Sequence, residues 1–237
     1  MHPARWRCRR LRPQLRRERL ELPDGDFVDL DWTLNDSGPT VIILHGLEGS
    51  SRSHYARGML MSLPRHGLRA VLMHFRGCSG EPNRLARAYH SGDADEIDWL
   101  LRAMRARFAD ARLYAAGVSL GGNALLKWLG RTRGGAREVL QAAAAVSAPV
   151  DLMTAGDRLG RGLNSLYGRN FLASLRAKSL AKLARFPGIY RGDAVRRART
   201  LREFDNLVTA PLHGFRDTDD YWTRASSLPD LIHIDVP

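Results

Sequence analysis

Cysteine is nearly absent from this 237-residue chain, which carries only Cys8 and Cys78. Two cysteines without partners at metal-ligand spacing exclude a disulfide framework and a zinc knot, and they suit a reducing, cytoplasmic setting. A run of about 18 consecutive apolar residues is also missing, so no membrane span is expected. Arginines interrupt the amino terminus where a secretory leader would need an apolar stretch. Acidic residues are fewer than basic ones, 25 against 37, which leaves a formal charge of +12. Such an excess raises nucleic acid or an anionic membrane as a partner. Its distribution argues otherwise. Arg5, Arg7, Arg9, Arg10, Arg12, Arg16, Arg17 and Arg19 stand against Glu18 alone, and no RNA-binding or zinc-finger pattern accompanies them. Residues 1–20 therefore read as a solvated basic tail, with no specific nucleic-acid partner.

Hydrophobic content of 44% over this length is enough for one sizeable core and one domain. Val28, Leu30, Trp32 and Leu34 alternate with Asp29, Asp31 and Thr33, the period-two pattern of a half-buried edge strand. After the turn cluster Asn35 to Pro39, the unbroken run Val41 to Leu44 predicts a strand covered on both faces. Helical spacing around Ser53 to Leu63 precedes the apolar run Ala70 to Phe75. A stronger helix, with Asp93 and Glu96 as a capping box and Ile97, Leu100, Leu101, Met104 and Phe108 on one face, precedes the run Ala111 to Ala116. A further helix from about Leu120 to Leu129 leads to Val139 to Val146. This alternation predicts an α/β fold with a mostly parallel sheet wrapped by helices. From Asp151 the character changes. Leu163 to Phe186 is helical and basic, Pro187 and Gly188 break it, and no strand signal returns before Leu231, so residues 151–230 read as a lid-like helical insertion.

Gly117-Val118-Ser119-Leu120-Gly121-Gly122 is a G-x-S-x-G sequence lying directly between a predicted strand and a predicted helix. A serine hydroxyl is a weak nucleophile and must be presented on a tight turn where a base can reach it. In that setting Ser119 is the candidate nucleophile. The same turn aims the Leu120 amide at the carbonyl under attack, where negative charge develops. His45-Gly46-Leu47-Glu48-Gly49 follows the buried run Val41 to Leu44, at the strand end where open α/β sheets place ligands. The Leu47 amide is thus the second candidate oxyanion donor. Gly46 to Ser53 lacks the Gly-Lys-Ser/Thr ending of a phosphate loop. His45 precedes Ser119, whereas this fold orders its triad serine, acid, histidine, so His45 is read as structural. Cys78 in its glycine-rich turn is read as loop-shaping. Such chemistry needs no cofactor and no metal.

Leu44 to Tyr55 (LHGLEGSSRSHY), Met73 to Arg84 (MHFRGCSGEPNR), Tyr89 to Gly92 (YHSG), Gly117 to Gly130 (GVSLGGNALLKWLG) and Thr209 to Phe215 (TAPLHGF) together resemble the YheT-like family of α/β-hydrolase serine esterases. The resemblance implies a hydrolase acting on small-molecule or lipid carboxylic esters, with relatives linked to medium-chain acyl esters and phospholipids. It carries over Ser119 as a catalytic residue. In the family an aspartate follows the next core strand and a histidine follows the last. Here the expectation is an α/β-hydrolase domain over residues 21–237 that stops at Ile234 to Pro237, where that next strand should start, with the triad acid and histidine beyond Pro237. His213 and His233 are read as structural. Asp205, Asp217, Asp219, Asp220 and Asp235 lie in the right order, and spacing singles out none. A chain without its full triad would be a hydrolase-like protein without turnover, which stands as the alternative.

Overall fold

The run Val41 to Leu44 becomes the central strand of the molecule. In the computed structural model, which describes residues 12–159 and 164–237, this strand is β3 (Thr40–Leu44). Around it stand β1 (Leu15–Glu21), β2 (Phe27–Thr33), β4 (Arg69–His74), β5 (Leu113–Val118) and β6 (Ala142–Val146), in the order β1-β2-β4-β3-β5-β6. β3 pairs in parallel with β4 and β5, and β5 with β6, whereas β1 with β2 and β2 with β4 are antiparallel. The sheet is thus mixed, with its parallel part around β3.

Alternation along β3 splits the core between two faces. Ile42 and Leu44 pack with α2 (Ala94–Arg107) and α3 (Leu120–Thr132) through Ile97, Leu100, Leu125 and Trp128. Val41 and Ile43 pack with α1 (His54–Ser62) through Ala56 and Leu60. α2 buries Ile97, Leu100, Leu101 and Met104, the face its periodicity predicts, while Phe108 stands just past its end. The capping box at α2 is not formed. Asp93 makes no side-chain cap and instead accepts from Arg87 at 2.6 Å, while Glu96 pairs with the buried Arg76. Charge-assisted bonds from the arginines Arg87 and Arg76 outcompete the helix end for these carboxylates.

The basic tail needs correction over Leu15–Glu21, which forms edge strand β1; residues 1–11 lie outside the described residues. Consequently β2 is not an edge strand, and it is buried at every position. Arg17 stands directly opposite Asp31 and Arg19 opposite Asp29, each as a two-pronged pair at 2.8–3.0 Å. The polar face of β2, read from sequence as a solvent face, is sealed by arginine side chains from its neighbour.

After β6 the chain is helical, as expected: α4 (Leu152–Leu159), α5 (Asn164–Arg185), α6 (Gly192–Arg197), α7 (Leu201–Phe204), a π-helical turn (Asp205–Thr209), α8 (Ala210–Leu212) and α9 (Thr218–Ala225). Two small apolar clusters hold this segment together, one around Tyr221 and Trp222, the other around Leu172, Phe204 and Val208. A 3-10 turn (Leu228–His233) follows in place of the strand signal at Leu231. The last residues lie beside β6, where the Ala143 amide donates to the Pro237 carbonyl at 2.8 Å.

Candidate active site

From β3 the chain crosses first to β4 and then back to β5 on the other side, so the strand order reverses at β3 and β5. Ligand crevices of open α/β sheets lie at the carboxyl ends of strands at such a point. The loop His45–Gly49 leaves β3 there, and Ser119 leaves β5 beside it.

Ser119 has φ 53° and ψ −119°, a left-handed conformation that a Cβ disfavours, and it is half-buried. Glycines make the bend possible. A Cβ on Gly117 would stand 2.4 Å from the Gly121 carbonyl oxygen, and one on Gly121 would stand 2.5 Å from that of Leu44. A Cβ on Gly46 would come within 3.2 Å of the Ser119 Cβ, so the loop after β3 runs against the serine. The Ser119 amide donates to the Val146 carbonyl at 2.8 Å, tying the bend to β6. Leu120 opens α3, and Leu47 sits in the loop after β3. Among the described residues neither amide N–H has an acceptor, and both belong to segments adjoining Ser119.

The peptide that carries the Leu47 N–H also carries the Gly46 carbonyl, and a planar trans peptide points the two in opposite directions. That carbonyl accepts from His45 Nδ1 at 2.7 Å and from the Gly49 amide at 2.9 Å. The other ring nitrogen of His45 accepts from the Phe75 amide at 3.1 Å, which sets the tautomer. Burial pushes the His45 pKa down to about 3, so the ring is neutral and its hydrogen bonds are fixed. Its structural part is as expected, and it also sets the direction of the Leu47 amide. Cys78 is a buried thiol that burial pushes up to about 11, which leaves it inert as a nucleophile.

The later candidates are engaged elsewhere. His213 places Nδ1 at 2.7 Å from the Thr209 carbonyl and Nε2 at 3.1 Å from that of Ala88. His233 is exposed on the terminal 3-10 turn. Asp205 accepts from Thr209 and Trp222, Asp217 caps α9, Asp219 and Asp220 pair with Arg202 and Arg224, and Asp235 pairs with Arg137.

A cavity of about 360 Å³ lies between the helical segment and the loops after β3 and β4, walled by Tyr89, Leu175, Phe204, Val208, Leu212 and Lys182 among others. Glu48 reaches its wall, whereas Ser119 and Leu47 do not line it. Lys182 donates to Asn83 Oδ1 and to the carbonyls of Leu85 and Arg87 at 2.8–3.0 Å, and burial lowers its pKa to about 8. Sequence reasoning passed over Glu48, Tyr89 and Asn123. All three lie inside motif segments, Leu44 to Tyr55, Tyr89 to Gly92 and Gly117 to Gly130. Asn123, buried in α3, ties the Ser91 and Ala225 carbonyls to the Ser227 amide. Its partners lie some thirty to a hundred residues away along the chain, and no local pattern marks them.

A left-handed serine between strand and helix, at the switch point of a sheet wrapped by helices, is the arrangement of the α/β hydrolases. The family model described as alpha/beta hydrolase fold matches residues 39–226, and the chain belongs to that family. Within it, the chain is 42% identical over 93% of its length to "Putative esterase YheT" of Escherichia coli (strain K12), which bears out the YheT-like resemblance. It is 31% identical over 94% of its length to "Phospholipase ABHD3" of Homo sapiens. The chain spans 66% of the first relative and 57% of the second. Among solved structures, the Pyrococcus furiosus esterase Pf2001 superposes with a TM-score of 0.53 at 20% identity, covering 63% of this chain and 57% of that one, a likeness of fold. No helix among the described residues is long and apolar enough to cross a membrane.

Proposed function

We propose that this chain carries the nucleophile and oxyanion site of a serine hydrolase that cleaves carboxylic esters. The observation that supports it most is the backbone of Ser119, held at φ 53° on a strand-to-helix bend against Gly46. Ser119 Oγ attacks the ester carbonyl, and the Leu47 and Leu120 amides receive the oxyanion. A triad histidine takes the Ser119 proton and passes it to the departing alcohol, and water deprotonated by the same histidine then releases the acid from the acyl-enzyme. The helical segment 151–230 serves as a lid, and the cavity beneath it takes an apolar part of the ester, in keeping with relatives named as phospholipase and monoacylglycerol lipase. A fluorophosphonate probe is expected to label the chain and to spare Ser119→Ala. Equal labelling of the two, or labelling mapped to another residue, would overturn the assignment.

A second reading, a hydrolase-like chain that binds esters without turning them over, is favoured by the engagement of His213 with two main-chain carbonyls and the exposure of His233. Sustained release of p-nitrophenol from a p-nitrophenyl ester by the chain, absent in Ser119→Ala, would exclude it. Binding of the ester with no release would support it.

A further inference from the structure

Glu48 follows the proposed oxyanion residue and has φ 55°, a left-handed conformation in a residue with a full side chain. Its side chain is only 7% exposed. Three parts of the fold converge on it. Its amide donates to the Tyr89 hydroxyl at 2.9 Å, and that hydroxyl donates back to the Glu48 carboxylate at 2.9 Å, closing a ring between loop and side chain. Tyr89 is itself stacked on Phe75 with ring centres 5.2 Å apart. From α5, Ser174 donates its hydroxyl to the same carboxylate, and Lys178 approaches it at 2.9 Å. Ser174 and Lys178 are four residues apart, so they stand on one face of α5. The loop has no slack around them: a Cβ on Gly49 would stand 2.8 Å from the Gly46 carbonyl oxygen and 2.9 Å from His45 Nδ1.

We propose that Glu48 is a positioning residue through which helix α5 of the overlying segment holds the loop after β3 in its strained form. The proposal rests on the serine hydrolase reading only in the use it gives that loop, the aim of the Leu47 amide. A buried carboxylate needs its donors, and two of them are carried by a helix outside the sheet. When α5 moves away, the carboxylate loses Lys178 and Ser174, and the left-handed backbone at Glu48 loses the contacts that oppose its relaxation. The oxyanion loop is then set when α5 is docked and slack when it is not, which makes the seating of the helical segment part of assembling the site.

Two measurements on the full chain test this. The first is hydrogen exchange of the Glu48 and Gly49 amides, which needs no turnover. In Lys178→Met/Ser174→Ala both amides are expected to exchange at least about tenfold faster, with the amides of β3 and β5 unchanged; Glu48→Gln, which keeps the side-chain shape, is expected to fall between. Unchanged exchange in the loop of either variant would overturn the clamp, and Glu48→Gln alone decides it should the double variant not fold. The second is the labelling rate of Ser119 by a fluorophosphonate across probe concentrations. The saturating rate is expected to fall about tenfold in the double variant with half-saturation unchanged and partial recovery in Glu48→Gln. An unchanged saturating rate despite a loosened loop would overturn the positioning role. Absence of labelling in the unaltered chain would instead overturn the serine hydrolase reading, while the exchange result still decides the clamp.

Discussion

Asp205 begins the π-helical turn with its carboxylate between Thr209 Oγ1 at 2.6 Å and Trp222 Nε1 at 2.9 Å. Burial pushes its pKa up to about 6, and these two neutral donors do not offset it. A carboxyl that binds its proton more tightly in the folded state contributes most below the unfolded value near 4, and that contribution is lost as pH rises through about 6. Asp205→Asn is therefore expected to stabilise the fold by about 2 kcal/mol at pH 7.5 and to make no difference near pH 4, as read from urea unfolding at the two values. From sequence Asp205 was one of five acids in triad order, and spacing could not separate them. Its partners at Thr209 and Trp222 make it a joint of the helical segment. Ser119 is the opposite case: flanking glycines and the strand-to-helix change mark its bend in the sequence itself, because the strain of such a turn can be accepted only with those residues around it.

Among elements, the helices were legible and β1 was not. Ile97, Leu100, Leu101 and Met104 repeat at the period of a helix and are all buried. Arg17 and Arg19 instead gain their partners across a strand pairing, from Asp31 and Asp29. Charge counted along one segment cannot show this. Asp31 and Asp29 have side chains 5% and 0% exposed, whereas their arginines are 41% and 34% exposed. Removing an arginine leaves a buried charge, but solvent screens part of the pair, so Arg17→Met and Arg19→Met are each expected to cost about 1–3 kcal/mol by urea unfolding. Burial opposes ionisation of Asp31, yet bonds from His74, Arg17 and Ser51 outweigh it and hold the carboxyl well below the usual range. Its stabilisation is present above about pH 4 and is lost as pH falls through the depressed value. In Arg17→Met the acid-unfolding midpoint is accordingly expected to move to higher pH.

For the whole molecule, the proposed hydrolase reading makes the cavity between sheet loops and helical segment the part that sets how much apolar ester can be held. Val208→Trp narrows it from the side of the π-helical turn. The variant is expected to react about tenfold more slowly with a decyl fluorophosphonate while keeping its rate with an ethyl one, provided its melt shows the fold intact, since overpacking itself costs about 1–3 kcal/mol. An unchanged ratio of the two rates would remove the cavity from the substrate path. The sequence by itself determined the alternation of strand and helix, the two-faced burial of β3 and the place of Ser119, because each follows from periodicity or from a turn that tolerates few residues. Only the tertiary structure decided that an arginine-rich stretch would become an edge strand, that His45 would turn the Gly46 carbonyl, and that Glu48 would meet Ser174 and Lys178 from a helix over a hundred residues onward. These are pairings between distant segments, whose energy depends on which groups are buried together, and burial is a property of the folded chain.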